Sequence, residues 1–124
     1  MPEHEFSAET FVPAPRAEVF AFFCDAGNLM RLTPPSLGFE ILTPRPIEMK
    51  EGALIDYRIR LHGVPMRWRT RICGWNPPDE FCDEQISGPY RVWVHRHAFA
   101  DAPGGTAMRD TVRYALPLDR KSVV

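Results

Sequence analysis

Hydrophobic and polar residues alternate through the second half of the chain, and this period of two predicts a series of β-strands. The clearest example is residues 53–63, ALIDYRIRLHG, where apolar and charged side chains fall on opposite sides. Residues 66–75, MRWRTRICGW, repeat the pattern after a turn at GVP. Further strands are expected at residues 38–44, 80–85, 91–99 and 106–116. Because only short turn-rich segments separate these strands, we expect an antiparallel meander.

The N-terminal part of the chain has a different pattern. Residues 4–12, HEFSAETFV, alternate and predict a first strand. Beyond it the apolar residues follow a helical period, in which Pro15 suits the first turn and Gly27 is expected to end the helix. Residues 29–35, LMRLTPP, allow a second short helix before the prolines stop it. The sequence therefore predicts one α+β domain over residues 1–124, in the order one strand, two helices and about six strands.

Each predicted strand has one apolar and one polar face, as expected when one side of a sheet meets water. The first helix is expected to cover part of the apolar side with the stripe Val19, Phe20, Phe22 and Phe23. The polar side carries Arg58, Arg60, Arg67, Arg69, Arg71, Arg109 and Arg113. We interpret these arginines as a solvated face paired with acids across strands. The alternative, a surface that binds an anion or RNA, is disfavoured because aromatic residues are not interleaved on that face.

The segment RVWVHRHAF, residues 91–99, places two imidazoles and an indole on one side of a predicted strand. If the loop DAPGGT closes a simple hairpin, the expected register pairs Phe99 with Thr106, His97 with Met108, His95 with Asp110 and Trp93 with Val112. His95 and Asp110 would then be cross-strand neighbours, close enough for a hydrogen bond. A carboxylate at that place would favour the imidazolium and fix the orientation of the ring.

This side of the segment has three interpretations. His95 and His97, with Asp110 as a third ligand, form a His-x-His pattern that can bind zinc. That spacing is common by chance and no cysteine lies at a suitable interval, so we predict no metal and no cofactor. A His–Asp pair can also transfer protons, but the chain has no nucleophile motif, phosphate loop or paired-carboxylate signature. The third interpretation is a satisfied polar network in the wall of a small-molecule pocket, which is the one that we favour.

Composition and charge exclude several classes of protein. The net charge of −1 gives no general attraction to nucleic acid or to anionic membranes. The start MPEHEFSAET is polar and acidic, unlike a signal peptide, and no apolar run is long enough to span a membrane. The odd number of cysteines (Cys24, Cys73 and Cys82) then favours reduced thiols in the cytoplasm, and we assign none of the three a role.

Three segments resemble the START/Bet v 1-like superfamily, also called SRPBCC or polyketide cyclase/dehydrase-like proteins, and above all its bacterial ligand-binding branch. They are FVPAPRAEVFAFFCDAGNLMRLTPP, MRWRTRICGWNPPDEFCDEQISGPYRVWVHRHAF and GGTAMRDTVRYALP. They cover nearly the whole chain in the family's order. The resemblance implies a helix-grip fold: a curved antiparallel sheet around a long C-terminal helix, with two short helices after the first strand.

The resemblance also implies a hydrophobic cavity between the sheet and the helices. The expected ligand-binding residues are Tyr57, Trp68, Phe81, Asp83, Gln85, Trp93, His95, His97, Phe99, Asp110 and Tyr114. Members of the superfamily carry lipids, hormones or polyketides, or act as cyclases, so the fold alone does not decide the function.

The chain departs from the family at its end, because LPLDRKSVV leaves no room for the long C-terminal helix. We therefore expect β-α-α-β6 order without that helix, and a homo-oligomer whose partner covers the open side of the sheet.

The expected function is the binding of a small hydrophobic molecule that is lipid-, polyketide- or aromatic-like. One alternative is a cyclase or dehydratase with His95 as base and Asp110 as its orienting carboxylate. The other alternative is a module that binds a partner protein in the open side. We expect neither nucleic-acid binding nor membrane insertion.

Overall fold

The computed structural model describes residues 2–28, 38–61 and 63–116. Within these ranges the elements are β1 (His4–Val12), α1 (Arg16–Phe23), β2 (Glu40–Ile41), β3 (Leu54–Leu61), β4 (Val64–Asn76), β5 (Glu80–Ser87), β6 (Val92–Ala102) and β7 (Gly105–Ala115). The predicted first strand and the six later strands are all present. The second helix, expected at residues 29–35, lies outside the described residues.

The strands form one antiparallel sheet in the order β1-β7-β6-β5-β4-β3-β2. Strands β2 to β7 are neighbours in chain order, which confirms the predicted meander. The chain between β1 and β2 crosses from one edge of the sheet to the other, so β1 pairs with β7 at the far edge. Register shifts after Arg69 and after Cys73 bend β4, since extra residues in one strand increase local twist.

The expected register of β6 and β7 is wrong by two residues. The observed pairs are Phe99 with Met108, His97 with Asp110, His95 with Val112 and Trp93 with Tyr114. The reason is the position of the turn, which is centred between Pro103 and Gly104, one residue later than the expected pairs imply. Ala102 pairs with Gly105, and Gly104 takes the positive φ of +82° that so tight a turn requires. Because side chains alternate with a period of two, this shift leaves every residue on its predicted face.

Helix α1 ends at Phe23, four residues before the predicted stop at Gly27. After it, the Asp25 carboxylate accepts a hydrogen bond from the Gly27 backbone N–H at 2.8 Å. Such side-chain bonds to nearby backbone groups compete with helical hydrogen bonds, which accounts for the early end. Within the predicted apolar stripe, Val19 and Phe20 are buried, whereas Phe22 is 38% exposed.

The hydrophobic core has two parts. Under α1, Val19 and Phe20 pack against the inward side chains Phe81, Phe99 and Met108. Nearer β2, the second part consists of Ala26, Ile55, Tyr57 and Ile72. Complete burial of a large side chain such as Phe20 contributes roughly 2–3 kcal/mol, so α1 is held mainly by this packing. We call the face of the sheet that carries these residues the inner face.

The opposite, outer face carries the arginines, as predicted. Among the described residues, five of the seven form ion pairs with acids: Arg58 with Glu40, Arg69 with Asp56, Arg71 with Glu84, Arg109 with Glu9 and Arg113 with Glu3. Arg96, on the same face, pairs with Glu80. The hydrogen bond from Arg69 also holds the pKa of Asp56 below its usual value. Exposed pairs of this kind contribute little stability each, about 0–1 kcal/mol, so the outer face is a solvated surface.

The expectation that all three cysteines are reduced is wrong for two of them. Cys73 on β4 and Cys82 on β5 lie directly opposite each other and form a disulfide. Their Cα atoms are 5.1 Å apart, a separation that suits a disulfide. The tight turn between β4 and β5 brings together two residues that the sequence placed only near strand ends. The cytoplasmic location, which rested partly on reduced thiols, stays a prediction.

The described residues include no helix that is long and apolar enough to cross a membrane.

Candidate functional site

Four polar side chains lie together on the inner face, beside the part that α1 covers. They are Asp83 on β5, His95 and His97 on β6, and Asp110 on β7, and we call them the His–Asp quartet. Their side chains are partly buried, with 13% of His97 and about a quarter of each of the others exposed. Strand alternation alone puts all four on one face.

The hydrogen bonds of the quartet run diagonally across the sheet. His97 lies opposite Asp110 and His95 lies opposite Asp83 in the strand pairing. His95 Nε2, however, is 2.9 Å from Asp110 Oδ1, and His97 Nε2 is 2.9 Å from Asp83 Oδ2. His97 Nδ1 also lies 3.3 Å from Asp110 Oδ1. The expected pairing of His95 with Asp110 is therefore present, although the register that predicted it is not.

Stacked rings hold the imidazoles in place. The ring of His97 lies between those of Phe81 and His95, with centroid distances of 4.3 and 3.8 Å and nearly parallel planes. Phe81 belongs to the core under α1, so the quartet is anchored to that core.

The pKa values of two members of the quartet, His97 and Asp110, are shifted in opposite directions. Burial lowers the pKa of His97, but the carboxylates of Asp110 and Asp83 outweigh burial and raise it to about 9. Burial raises the pKa of Asp110, yet the hydrogen bond with His95 and the nearby imidazolium of His97 outweigh it and hold that pKa well below its usual range. Near neutral pH the quartet therefore contains an imidazolium at His97 beside an ionised Asp110.

Aromatic side chains form a wall beside the quartet. The aromatic wall consists of Trp68, Tyr90, Trp93 and Tyr114, all partly exposed. Trp93 is its centre, with ring centroids 5.5 Å from Trp68, 4.9 Å from Tyr90 and 6.2 Å from Tyr114. The Trp68 indole N–H donates to the Thr70 hydroxyl at 3.1 Å, which fixes its ring. The result is a largely apolar surface with polar atoms at its border.

Tyr90 is a member of the wall that the sequence analysis missed. Strand parity assigned it to the face opposite Trp93, but β6 begins only at Val92, so alternation does not extend to Tyr90. The Gln85 amide holds it in place: Nε2 donates to the Tyr90 carbonyl at 2.5 Å, and Oε1 accepts from the Tyr90 N–H at 3.0 Å. Gln85, expected to contact a ligand, thus uses both amide atoms to position Tyr90.

Three other expected site residues lie in the core rather than on the open surface. Phe81 and Phe99 are each 4% exposed beneath α1. Tyr57 is 8% exposed in the second part of the core, where burial raises the pKa of its phenol. The structure thus brings together Trp68, Trp93 and Tyr114 with the His–Asp quartet. Phe81 touches the quartet from the core side, through its stack on His97, whereas Phe99 and Tyr57 lie in the core.

Strand β1 extends the open part of the inner face. His4 and Phe6 pair with Tyr114 and Val112 of β7, so they share the face of the quartet. Phe6 is 53% exposed, and His4 lies 5.2 Å from the Tyr114 ring. The expected homo-oligomer would cover this surface, and that expectation stays a prediction that light scattering at micromolar concentration can test.

The described residues also form a cleft of about 320 Å³ away from the quartet. It lies between the end of α1 and residues 45–49 and includes the free thiol of Cys24. Burial, with the nearby Asp25 carboxylate, raises the pKa of Cys24, so this thiol is poorly suited to be a nucleophile. The quartet and the wall instead form an open surface that can orient a polar group beside an apolar body.

Comparisons with known proteins identify the family and the fold. The sequence profile of the family described as polyketide cyclase / dehydrase and lipid transport matches residues 12–122. A search of curated protein sequences gives no match.

Solved structures show the same fold at low sequence identity. Ara h 8.0201 is 17% identical with a TM-score of 0.71, over 95% of this chain and 81% of that protein. The protein TTHA0849 from Thermus thermophilus is 22% identical with a TM-score of 0.70, over 97% and 84%. The major latex-like protein 151 of Panax ginseng is 11% identical with a TM-score of 0.67, over 95% and 83%.

Proposed function

We propose that the chain binds a small hydrophobic molecule on the inner face of its sheet, because it belongs to the polyketide cyclase/dehydrase and lipid transport family of the START/Bet v 1-like superfamily. The observation that carries the proposal is the aromatic wall, whose rings are left partly exposed directly beside hydrogen-bonded polar groups. Binding sites for small molecules typically combine an apolar lining with a few placed polar atoms.

The aromatic wall and the His–Asp quartet have different roles in ligand binding. Trp68, Trp93 and Tyr114 supply apolar area, and Tyr90 joins them through its bonds to Gln85. His95 and Asp110 supply polar atoms that orient one end of the ligand. Each ring that becomes covered adds roughly 25 cal/mol per Å² of apolar area, so two or three rings suffice for measurable affinity.

The test is a titration of the protein with 8-anilinonaphthalene-1-sulfonate and with a panel of fatty acids and flavonoid-like aromatics, followed by tryptophan fluorescence and thermal shift. We expect saturable binding of at least one class of compound. Trp93→Ala and Tyr114→Ala should weaken it by about ten-fold or more, since each removes the equivalent of 1–2 kcal/mol of apolar contact.

Phe11→Ala is the matched control, because Phe11 is equally exposed, at 53%, but pairs with Ala107 on the outer face. The proposal is wrong if no compound stabilises the protein, or if the control weakens binding as much as the wall variants do.

A second candidate is an enzyme of the cyclase or dehydratase type. The observation in its favour is the 2.9 Å hydrogen bond between His95 Nε2 and Asp110 Oδ1, which leaves Nδ1 of His95 as a proton acceptor. His95→Gln distinguishes the two functions. In a binder the variant should retain affinity for the ligand, whereas an enzyme should lose turnover of a poly-β-ketone substrate while still binding it.

A further inference from the structure

The sequence spacing alone led us to predict no metal, but the structure adds Asp83 to the two histidines. We propose that Asp83, His95 and His97 bind a divalent transition-metal ion, and that Asp110 is the carboxylate that orients both imidazoles. One ligand atom from each of the three residues lies within 4.8 Å of the others. In a tetrahedral site with metal–ligand bonds near 2.0 Å, neighbouring ligand atoms are about 3.3 Å apart. The three groups therefore lie near coordination distance, and binding requires the two stacked imidazoles, now 19° from parallel, to tilt toward one ion.

The position of Asp110 suits the role of an orienting carboxylate. Its Oδ1 is 2.9 Å from His95 Nε2 and 3.3 Å from His97 Nδ1, so one oxygen serves one nitrogen of each ring. The nitrogens left for the metal are then Nδ1 of His95 and Nε2 of His97. Metal-binding histidines usually donate their other N–H to such a carboxylate, which fixes the tautomer and makes the ligand nitrogen more basic.

One buried ring nitrogen of the quartet, Nδ1 of His97, has no hydrogen-bond partner within the part of the chain that the structure describes, and this supports the same assignment. His97 Nδ1 is buried and makes no hydrogen bond with any described residue, despite its short distance to Asp110. A buried polar atom without a partner is unusual and needs an explanation. A metal on Nε2 would replace the proton that now lies between His97 Nε2 and Asp83 Oδ2, and that proton would pass to solvent. The remaining proton of His97 would lie on Nδ1, which faces the Asp110 carboxylate at 3.3 Å.

The three ligands come from two adjacent strands and remain accessible to solvent. The two imidazoles are two residues apart on β6, Asp83 is on the adjacent β5, and Phe81 stacks against His97. About a quarter of the side chains of His95 and Asp83 and 13% of that of His97 remain exposed, so an ion can enter from solvent. Three protein ligands leave at least one coordination position for water or for a bound molecule.

The donor set selects the kind of ion. Two imidazoles and one carboxylate suit zinc, iron(II), cobalt(II) and nickel(II), whereas magnesium and calcium prefer all-oxygen sites. The carboxylates of Asp83 and Asp110 supply two negative charges against one divalent cation. The nearby arginines project from the opposite face of the sheet, where Arg96 pairs with Glu80, so they do not oppose binding.

The experiment uses the full chain, produced without a histidine tag, in a Cys24→Ser background that removes the free thiol. After treatment with EDTA, the protein is titrated with cobalt(II) and zinc(II) by calorimetry, and cobalt coordination is followed by its visible absorption. We expect saturation at one ion per chain, a d–d absorption band typical of nitrogen and oxygen ligands, and no comparable binding of magnesium.

His95→Ala and His97→Gln should each weaken metal binding by at least about ten-fold. His97→Gln keeps most of the side-chain volume, so a loss of binding in this variant is not explained by a loss of folding. Asp110→Asn should weaken binding by about ten- to a hundred-fold while keeping one site, as loss of an orienting carboxylate does. His4→Ala is the control, since His4 is an exposed histidine on β1 outside the quartet.

Absence of one-to-one binding, or binding that the two quartet histidine variants leave unchanged, would overturn the proposal. Binding of a hydrophobic compound is measured separately in EDTA. If that binding persists when the metal site fails, only this inference is lost and the proposed function stands.

Discussion

Asp110 Oδ1 lies 2.9 Å from His95 Nε2, although the residue directly opposite Asp110 in the sheet is His97. The single carboxylate on β7 therefore touches both imidazoles of β6. Such sharing makes Asp110 the group on which the geometry of the His–Asp quartet depends most.

Replacement of Asp110 by Asn should destabilise the protein in EDTA by about 1–3 kcal/mol. The variant leaves the imidazolium of His97, the least exposed member of the quartet, with one carboxylate instead of two. Chemical denaturation measures the change. Asp101→Asn is the control, because Asp101 is 79% exposed beside Arg16 and should change stability by less than about 1 kcal/mol. Equal effects of the two substitutions would contradict the importance of Asp110.

Phe20→Ala should lower the free energy of unfolding by about 3–5 kcal/mol, because it leaves a cavity in the core under α1. Phe20 is 5% exposed and its ring contacts those of Trp75, Phe81 and Phe99. Phe22→Ala, two residues further along the same helix, should cost less than about 1 kcal/mol, because that ring is 38% exposed. Urea unfolding followed by tryptophan fluorescence compares the two, and similar losses would mean that α1 packs differently.

Protein purified without reductant should contain one free thiol per chain, at Cys24, by thiol titration. Peptide mapping should show Cys73 linked to Cys82. Reduction, or Cys73→Ser in a Cys24→Ser background, should lower stability by about 2–3 kcal/mol, which is the loop-entropy effect of closing roughly ten residues. Three titratable thiols in the oxidised protein would contradict this disulfide.

Gly105→Ala should destabilise the protein by about 1–3 kcal/mol without any change in charge. A Cβ atom at this position would lie far inside contact distance of the Val12 carbonyl oxygen and close to Pro13. The backbones of β1 and β7 would have to separate there. Gly27→Ala is the control, because its Cβ would meet only side-chain atoms of Asp25 and Arg45, which can move. Thermal unfolding distinguishes the two, and no difference would mean that the close approach is absent.

The faces of the strands could be predicted from sequence because they depend only on a period of two. Trp93, His95 and His97 are turned inward and Arg96 outward, whatever the register. The register itself depends on where the turn is centred. The segment DAPGGT allows more than one centre, and in the structure the turn lies at Pro103 and Gly104, where Gly104 takes a positive φ.

Other features depend on contacts between distant parts of the chain. Tyr90 precedes β6, and only its bonds with Gln85 place it in the aromatic wall. The partnership of His97 with Asp83 depends on the β5–β6 register, and the pairing of Cys73 with Cys82 on the β4–β5 register. No local pattern in the sequence encodes these pairings, so neither the full quartet nor the disulfide could be derived from it.

Strand β1 ends the sheet, and among the described strands it has a neighbour on one side only. The backbone amides and carbonyls of such a terminal strand can recruit another extended chain, which is a common route to aggregation. Here Glu5 and Glu9 project beside that border, so two copies approaching edge to edge would bring like charges together. Replacement of Glu5 and Glu9 by alanine removes this repulsion and should therefore make the chain prone to self-association through this edge.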